Sequence, residues 1–563
     1  MLKPLKRDKQ NCYITLDIET NNGQLLDIAT YDGNEVYFFS NWDEFLIFIR
    51  AKAIEDKRYR RVIAHNGGSF DYISLVEYLE KETDYKFEVI MSQSKIVILY
   101  ICFEEVKISF IDSYNVLANS LHNLSKIFDI KHKKIEIVYD KNNMLKFKED
   151  NPDLYYEYLK YDVISLYEIC KEFERKLGIN FFPTTIASMS LYLYRRYFLD
   201  RNLFSPRKKV DEFISQSYAG GRVEVFRPGK HSQVFVYDIN SMYPYVMRNF
   251  DYPTGTPVKV YSYKPDYIGI YHIRFNQTNY DIPPVLWKKT KENGLEFVYE
   301  GEGYYFTPEI EIALRYGVKM EFFEGYIWKN KTKLFSNFVD FYYNIRKENK
   351  NNALGYICKL ILNSLYGKFA QKERKSVLIR LKADELNELL KKKISVIPYK
   401  GDLYEVIYPQ TITHRIIQLS ALTTSYARAY LAELIMKYKD NIIYVDTDSL
   451  HLNCEISEGI GQELGQLKLE KAGSGIYLGR KQYVIENNIK FKGVKVFDNL
   501  ANRKLVSESD FEFLNDGGRK LVYISYFPKL KSVLKDGRKA AKIYKMPKLL
   551  KKQTYFTHYK GST

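Results

Sequence analysis

Asp17-Ile18-Glu19 ends a run, residues 13–18, whose alternation predicts a β-strand. Residues i and i+2 of a strand project from one face, so both carboxylates enter the same space. Asp71 follows a glycine-rich turn, His65-Asn66-Gly67-Gly68-Ser69-Phe70, and Tyr158 and Asp162 lie four apart on a predicted helix, hence on one face. Four carboxylates from three elements suit two hard divalent cations, Mg2+ or Mn2+, about 3.5–4 Å apart. That arrangement hydrolyses phosphodiesters by in-line attack.

A second set of acids lies further along the chain. Residues 234–238 read as a buried strand ending in Asp238, which runs directly into Ile239-Asn240-Ser241-Met242-Tyr243-Pro244. Residues 442–446 read as another strand, and Asp446-Thr447-Asp448 as the tip of a hairpin. Two rigidly held carboxylates with two metals are what phosphoryl transfer needs: activation of a 3′-hydroxyl and charge neutralisation on a triphosphate. Asp238 and Asp448 are the expected ligands, with Asp446 adjacent. Between these motifs, Lys359, Asn363, Tyr366 and Ala370 fall along one helical stripe, followed closely by Lys368. A cation, an amide and a ring on one face can meet triphosphate, sugar and base. Lys481-Gln482-Tyr483 adds a further cation and ring.

The elements that must position these residues are legible in outline. Residues 96–103 and 106–111 predict a hairpin, 152–173 a helix, and Phe182-Pro183-Thr184-Thr185 a break before a new unit. Strands alternate with polar connections over residues 250–340, a helix is predicted over 351–366, and a tail over 528–560 mixes Lys and Arg with aromatic rings. The 563 residues suffice for several cores, and 45% hydrophobic with 28% charged residues marks a globular chain. A net charge of +17 fits a polyanionic partner. The five cysteines show no paired spacing, which argues against a disulfide framework and a Cys-ligated zinc site. Neither a signal peptide nor a membrane span is predicted, so the expectation is an intracellular, cytoplasmic protein with no membrane partner.

The motifs in order resemble the protein-primed branch of family B DNA polymerases, known from small tailed phages and linear plasmids. Asp17-x-Glu19, Asn66-x-x-x-Phe70-Asp71 and Tyr158-x-x-x-Asp162 resemble the three motifs of a DnaQ-like proofreading exonuclease. By that resemblance the four acids bind metal, Tyr158 orients the attacking water, and Asn66 and Phe70, beside His65, hold a frayed 3′ end. Lys134, five residues before Tyr139, is similar to the branch's exonuclease-assisting lysine, and Ser120-Leu121-x-x-Leu124 to its motif for single-stranded DNA and terminal protein. Tyr218-Ala219-Gly220-Gly221 resembles the Y-x-G-G link between exonuclease and palm, and Thr424-x-x-Ala427-Arg428 a further DNA-contacting motif.

The resemblance implies an α/β multidomain fold. An RNase H-like exonuclease spans residues 1–182, followed by a right hand with a palm over 183–250 and 417–495, fingers over 341–370 and a thumb over 496–563. Two insertions, 251–340 and 371–416, would dock the terminal protein and give processivity with strand displacement. The implied nucleotide contacts are Tyr243, Lys359, Asn363, Tyr366, Lys368, Lys481 and Tyr483; the implied DNA contacts add Ser241, Tyr218, Gly220, Gly221 and Arg428. Implied partners are DNA template and primer, dNTPs and a terminal protein, with the chain a monomer or a heterodimer with that protein. Tyr243 is expected beneath the incoming sugar, where its ring excludes a 2′-hydroxyl. Met242 stands where Leu is usual, a volume-conserving change, and the span from Lys368 to Thr424 is long for the branch. Rival readings are a family B polymerase primed by RNA or DNA alone, a reverse transcriptase, which Asp446-Thr447-Asp448 and the exonuclease motifs fit poorly, and a catalytically silent DNA-binding scaffold.

Overall fold

The computed structural model describes residues 1–5, 12–92, 95–135, 137, 143–277, 280–290, 294–372, 374–409, 412–540 and 542–553. Tyr139 and the part of the basic tail beyond residue 553 lie outside the described residues. In the first third, Ile14–Asn21 runs antiparallel to Gln24–Tyr31 and parallel to Arg61–Ala64, which is itself parallel to Lys107–Asp112. Lys95–Cys102 and Lys107–Asp112 form the antiparallel pair that their alternation predicts. Helix Pro152–Leu177 packs across this sheet, four residues longer than expected. Proline opens it, and Gly178, at φ 63°, ends it in the left-handed conformation that glycine adopts without strain.

The sheet does not stop at the end of that unit. Its ten strands run in the order Ser395–Lys400, Leu403–Pro409, Arg374–Arg380, Lys86–Ser92, Lys95–Cys102, Lys107–Asp112, Arg61–Ala64, Ile14–Asn21, Gln24–Tyr31, Val36–Phe39. The segment expected as a separate second insertion therefore contributes three strands to the first sheet's edge, with Val377, Leu378 and Ile379 paired to Ile90, Val89 and Glu88. Arg380 locks the joint. Its guanidinium donates to the carbonyls of Thr83 (2.7 Å) and Glu80 (3.1 Å), acceptors left over at the end of helix Asp71–Glu82.

A second, seven-stranded sheet is antiparallel throughout: Asn488–Phe491, Gln482–Ile485, Leu467–Gly479, Gly229–Ile239, Ser449–Leu452, Ile442–Asp446, Val223–Val225. Helix Ala353–Lys368, capped by the Asn352 side chain, packs on helices Ile186–Leu193 and Ser336–Glu348 around an apolar core. Within residues 251–340 a smaller four-stranded sheet carries helix Thr307–Arg315. Near the C-terminus, helix Leu530–Asp536 returns to the first unit. Leu530, Val533 and Leu534 join the core beneath helix Asp71–Glu82, and Ala540 N–H donates to Glu77. No described helix is long and apolar enough to cross a membrane. All five cysteines are unpaired.

Candidate active sites

The first group of acids lines one cleft of about 1050 Å³. Asp17 and Glu19 come from strand Ile14–Asn21, Asp71 from the first turn of its helix, and Tyr158 and Asp162 from helix Pro152–Leu177, with Lys134 beside them. Three features hold the 65–70 turn. Asp112, which sequence reading passed over, accepts from the backbone N–H groups of Asn66 (2.8 Å), Gly68 (3.2 Å) and Tyr114 (2.9 Å). A Cβ on Gly68 would lie 2.1 Å from the Ile96 carbonyl oxygen, so only glycine fits. His65 is half-buried, with Nε2 donating to the Asn119 carbonyl and Nδ1 facing Ser113 Oγ, both at 2.8 Å; desolvation of the ring pushes it down to about 4, so it is neutral. His65 thus braces the turn beside Ser120, whose hydroxyl caps helix Leu121–Ile127.

The cleft concentrates negative charge. Burial, then the charges of Asp162 and Asp71, hold Asp17 well above the ordinary carboxylate range, and burial pushes Asp71 up to about 7. Burial also raises Asp162, against the pull of Lys134. Burial opposes the charge on Lys134 too, but Asp162 and Asp17 outweigh it and keep the ammonium protonated. Lys134 pairs with Asp162 and donates to Tyr158 Oη at 3.2 Å. Asp71 Oδ1 and Asp162 Oδ1 are buried with no hydrogen-bond partner among the described residues. Orphaned, mutually repelling carboxylate oxygens are a hard cation's donor set. The residues fit divalent metal, although among the described residues no group of three such side chains already forms a cage.

The C-terminal region roofs this cleft. Phe527 stacks edge-on to Phe70 with centroids 4.9 Å apart, and Ser525, Tyr526 and Leu500 also line the space. No motif spacing links Phe527 to Phe70, which is why sequence reading missed it.

The second group sits where the antiparallel register predicts. Asp238 lies opposite Ser449, the residue after Asp448, and Ile239 N–H donates to the Asp448 carbonyl at 2.7 Å. Thr447, at φ 66°, turns the tip, and its N–H donates to the Arg222 carbonyl at 2.8 Å. A Cβ on Gly221 would meet Thr447 Cγ2 at 2.6 Å, so this glycine lets the 218–222 loop press against the tip. Burial, then Asp448, pushes Asp238 up to about 7, and burial raises Asp448 as well. Glu470, at an irregularity in the pairing of strand Leu467–Gly479, adds to both shifts and was missed because a bulge leaves no periodic signal. Asp446 is held differently: Lys481 Nζ lies 2.6 and 2.8 Å from its oxygens and Tyr444 Oη donates at 3.2 Å. Tyr483 packs behind it on Tyr444 and Tyr477.

Around the tip, Tyr243 stacks on Tyr366 with centroids 4.5 Å apart and planes at 22°. Lys359 and Asn363 are exposed on the same helix, and burial lowers Lys368. Ser241 accepts from Arg346 Nη1 at 2.7 Å, a cation the motifs did not flag. Arg428, expected at DNA, is turned inward: 2% exposed, it pairs with buried Glu309 and donates to the carbonyls of Ala219 and Gly220, both at 2.9 Å. Its role in the structure is to brace the 218–221 loop, not to present a free guanidinium. Tyr218 is half-buried against the apolar core.

The model of DNA polymerase type B, organellar and viral, matches residues 54–157 and 146–458. The chain belongs to this family. Relatives include a probable DNA polymerase of Ascobolus immersus, 27% identical over 533 residues and covering 81% of this chain and 44% of that one. The DNA-directed DNA polymerase of Enterobacteria phage PRD1 is 30% identical over 319 residues, 55% of this chain and 52% of that one. The chain spans about half the length of the curated relatives it matches. Phi29 DNA polymerase complexed with primer-template DNA and incoming nucleotide substrates superposes with a TM-score of 0.75 at 20% identity, over 96% of this chain and all of that one. The chain thus has the mixed α/β multidomain fold of that polymerase.

Proposed function

We propose that this type B chain is a DNA-directed DNA polymerase that starts on a protein primer, displaces the strand ahead and proofreads with its own 3′→5′ exonuclease. The observation that carries the reading is the pair of separate carboxylate sites on one chain, one on a hairpin tip beside stacked Tyr243 and Tyr366, the other in a roofed cleft beside Lys134. In this reading residues 1–182 are the exonuclease, 183–250 with 417–495 the palm, 341–370 the fingers and 496–563 the thumb. The insertions 251–340 and 371–416 serve terminal protein and strand displacement.

Asp238 and Asp448 in the palm, and Asp17, Glu19, Asp71 and Asp162 in the cleft, hold Mg2+ or Mn2+, two at each site. Bound there, these ions supply Lewis acidity, activating the attacking oxygen and offsetting charge on the phosphate. Lys359 and Lys368 meet the triphosphate, and the Tyr243–Tyr366 stack forms the floor beneath sugar and base. Asp446, neutralised by Lys481, keeps the hairpin tip in place without competing for the ligand. In the cleft, Tyr158 and Lys134 orient water toward the terminal phosphodiester, while Asn66, Phe70 and Phe527 grip the unpaired end. Ser120 and Leu121 line the approach of the single strand, and Tyr218, Gly220 and Gly221, with Arg428 behind them, hold the junction between the sites.

Primer extension on a singly primed circle with Mg2+ tests this. Products longer than the circle are expected from the unaltered chain, none from Asp448→Ala, and extension without primer degradation from Asp17→Ala/Glu19→Ala. Halting within one circuit removes strand displacement and with it the protein-primed reading; binding without extension leaves only a scaffold.

A further inference from the structure

Lys134 sits on a strap, residues 131–135, outside any helix or strand, yet its ammonium must meet Asp162 and Tyr158 in register. A lysine has four rotatable side-chain bonds, and a strap adds backbone freedom, so something else must fix it. Helix Pro152–Leu177 presents Tyr158, Asp162, Ser165 and Glu168 at steps of four, three and three, one continuous stripe. The strap runs against that stripe in the opposite direction. His132 N–H donates to Glu168 Oε2 at 3.0 Å, and its ring Nδ1 lies 2.5 Å from Glu168 Oε1. Ser165 Oγ donates to the His132 carbonyl at 2.5 Å. Two residues later Lys134 reaches Asp162 and Tyr158, its Nζ 4.6 Å from the Tyr158 ring centroid.

We propose that Glu168 is a positioning residue for the exonuclease site: it latches His132, and the latch sets the register that delivers Lys134 to Asp162 and Tyr158. This rests on the exonuclease reading above. The latch lies outside the cleft, for neither Glu168, Ser165 nor His132 is among the residues that line it. Its whole effect passes through Lys134. Both polar groups of the His132 backbone, and its ring, are tied to the stripe that carries the catalytic side chains. One helix face thus places both the carboxylate and its partner cation.

The test uses the full chain and a 3′-labelled single-stranded oligonucleotide, with kcat and KM measured for Glu168→Ala, Glu168→Gln, Lys134→Ala and the Glu168→Ala/Lys134→Ala double variant. A shift of the ammonium on the scale of an ångström is expected to lower kcat of Glu168→Ala about tenfold to a hundredfold at unchanged KM. Primer extension and melting temperature stay as in the unaltered chain. Glu168→Gln, which keeps an acceptor for the His132 N–H, recovers part of the loss. The double variant is no slower than Lys134→Ala, because the latch has nothing left to position. An unchanged kcat in Glu168→Ala, or losses that multiply in the double variant, overturns the latch. Asp17→Ala/Glu19→Ala separates the two levels. If that variant still degrades the oligonucleotide, the exonuclease reading itself falls; if it does not, while Glu168→Ala behaves like the unaltered chain, only the latch falls.

Discussion

The two acidic sites use the same parts in opposite enclosures. Each takes carboxylates from a strand, Asp17 and Glu19 in one and Asp238 and Asp446 in the other, and each pairs one acid with a lysine: Asp162 with Lys134, Asp446 with Lys481. In the first, Asp71 and Asp162 are 3% exposed, and C-terminal residues that include Leu500, Ser525, Tyr526 and Phe527 form a roof. In the second, the acids stand on a half-exposed hairpin tip beside an open helix face. The difference matches the two chemistries proposed. Hydrolysis of one terminal nucleotide gains from a closed pocket that admits a single strand and a chosen water, while polymerisation must let a duplex slide past after every addition. The lysine differs in consequence too: Lys134 faces the cleft, whereas Lys481 sits on the flank of the tip and steadies an acid outside the expected ligand pair.

The comparison breaks most visibly if the sites are not independent. Asp448→Ala is expected to lower primer extension at least ~1000-fold while release of 3′ nucleotides from a single strand persists, and Asp17→Ala/Glu19→Ala to do the reverse. Loss of both activities in either variant would mean one shared centre. Next in size, Tyr243→Val removes one ring of the Tyr243–Tyr366 stack proposed as the floor beneath the sugar, and single-nucleotide assays should show ribonucleotide incorporation rising about tenfold to a hundredfold. Smaller is the effect of opening the roof. Phe527→Ala removes the ring packed on Phe70 and should raise KM for single-strand degradation about fivefold. Extension in short assays should be unaffected; an equal loss there would assign Phe527 to duplex binding instead.

The smallest effect is thermal and depends on pH. Asp71 and Asp238 are both pushed up to about 7 in the metal-free fold, whereas unfolded carboxylates titrate near ~4. Between those values the folded state holds protons that the unfolded chain has lost. The contribution of these groups is therefore complete below pH ~4 and is lost as pH rises through about 7. Melting of metal-free protein should occur at lower temperature at pH 8 than at pH 6, and Mg2+ should restore more at pH 8, where the ion no longer competes with protons. A Mg2+ effect independent of pH would remove the buried carboxylates as its cause.

Much of the fold was legible because its signals are local. Alternation marked the strand carrying Asp17, the hairpin of residues 96–111 and the strands around Asp446, and helical periodicity marked helices Pro152–Leu177 and Ala353–Lys368. The motif spacings also grouped side chains that do share a cleft. What stayed hidden depends on contacts far apart in sequence. Strand Arg374–Arg380 looks like any strand, and nothing in it names Lys86–Ser92 as its neighbour. Phe527 meets Phe70 across more than 450 residues, and Arg428 reads as a surface cation until Glu309 and two carbonyls surround it. Asp112 and Glu470 carry no motif at all; burial and a bulge give them their importance.

The ten-stranded sheet has a consequence for the birth of the molecule. Strand Lys86–Ser92 finds its outer neighbour only when Val377 emerges opposite Ile90, 287 residues later. At ribosomal rates of ~5–20 residues per second that is about 15–60 s. Throughout that interval the nascent N-terminal unit carries an open edge of unpaired N–H and C=O groups, a template for association with other chains. Expression yield, and its response to chaperones or slowed translation, should therefore hinge on an edge that the finished chain no longer exposes.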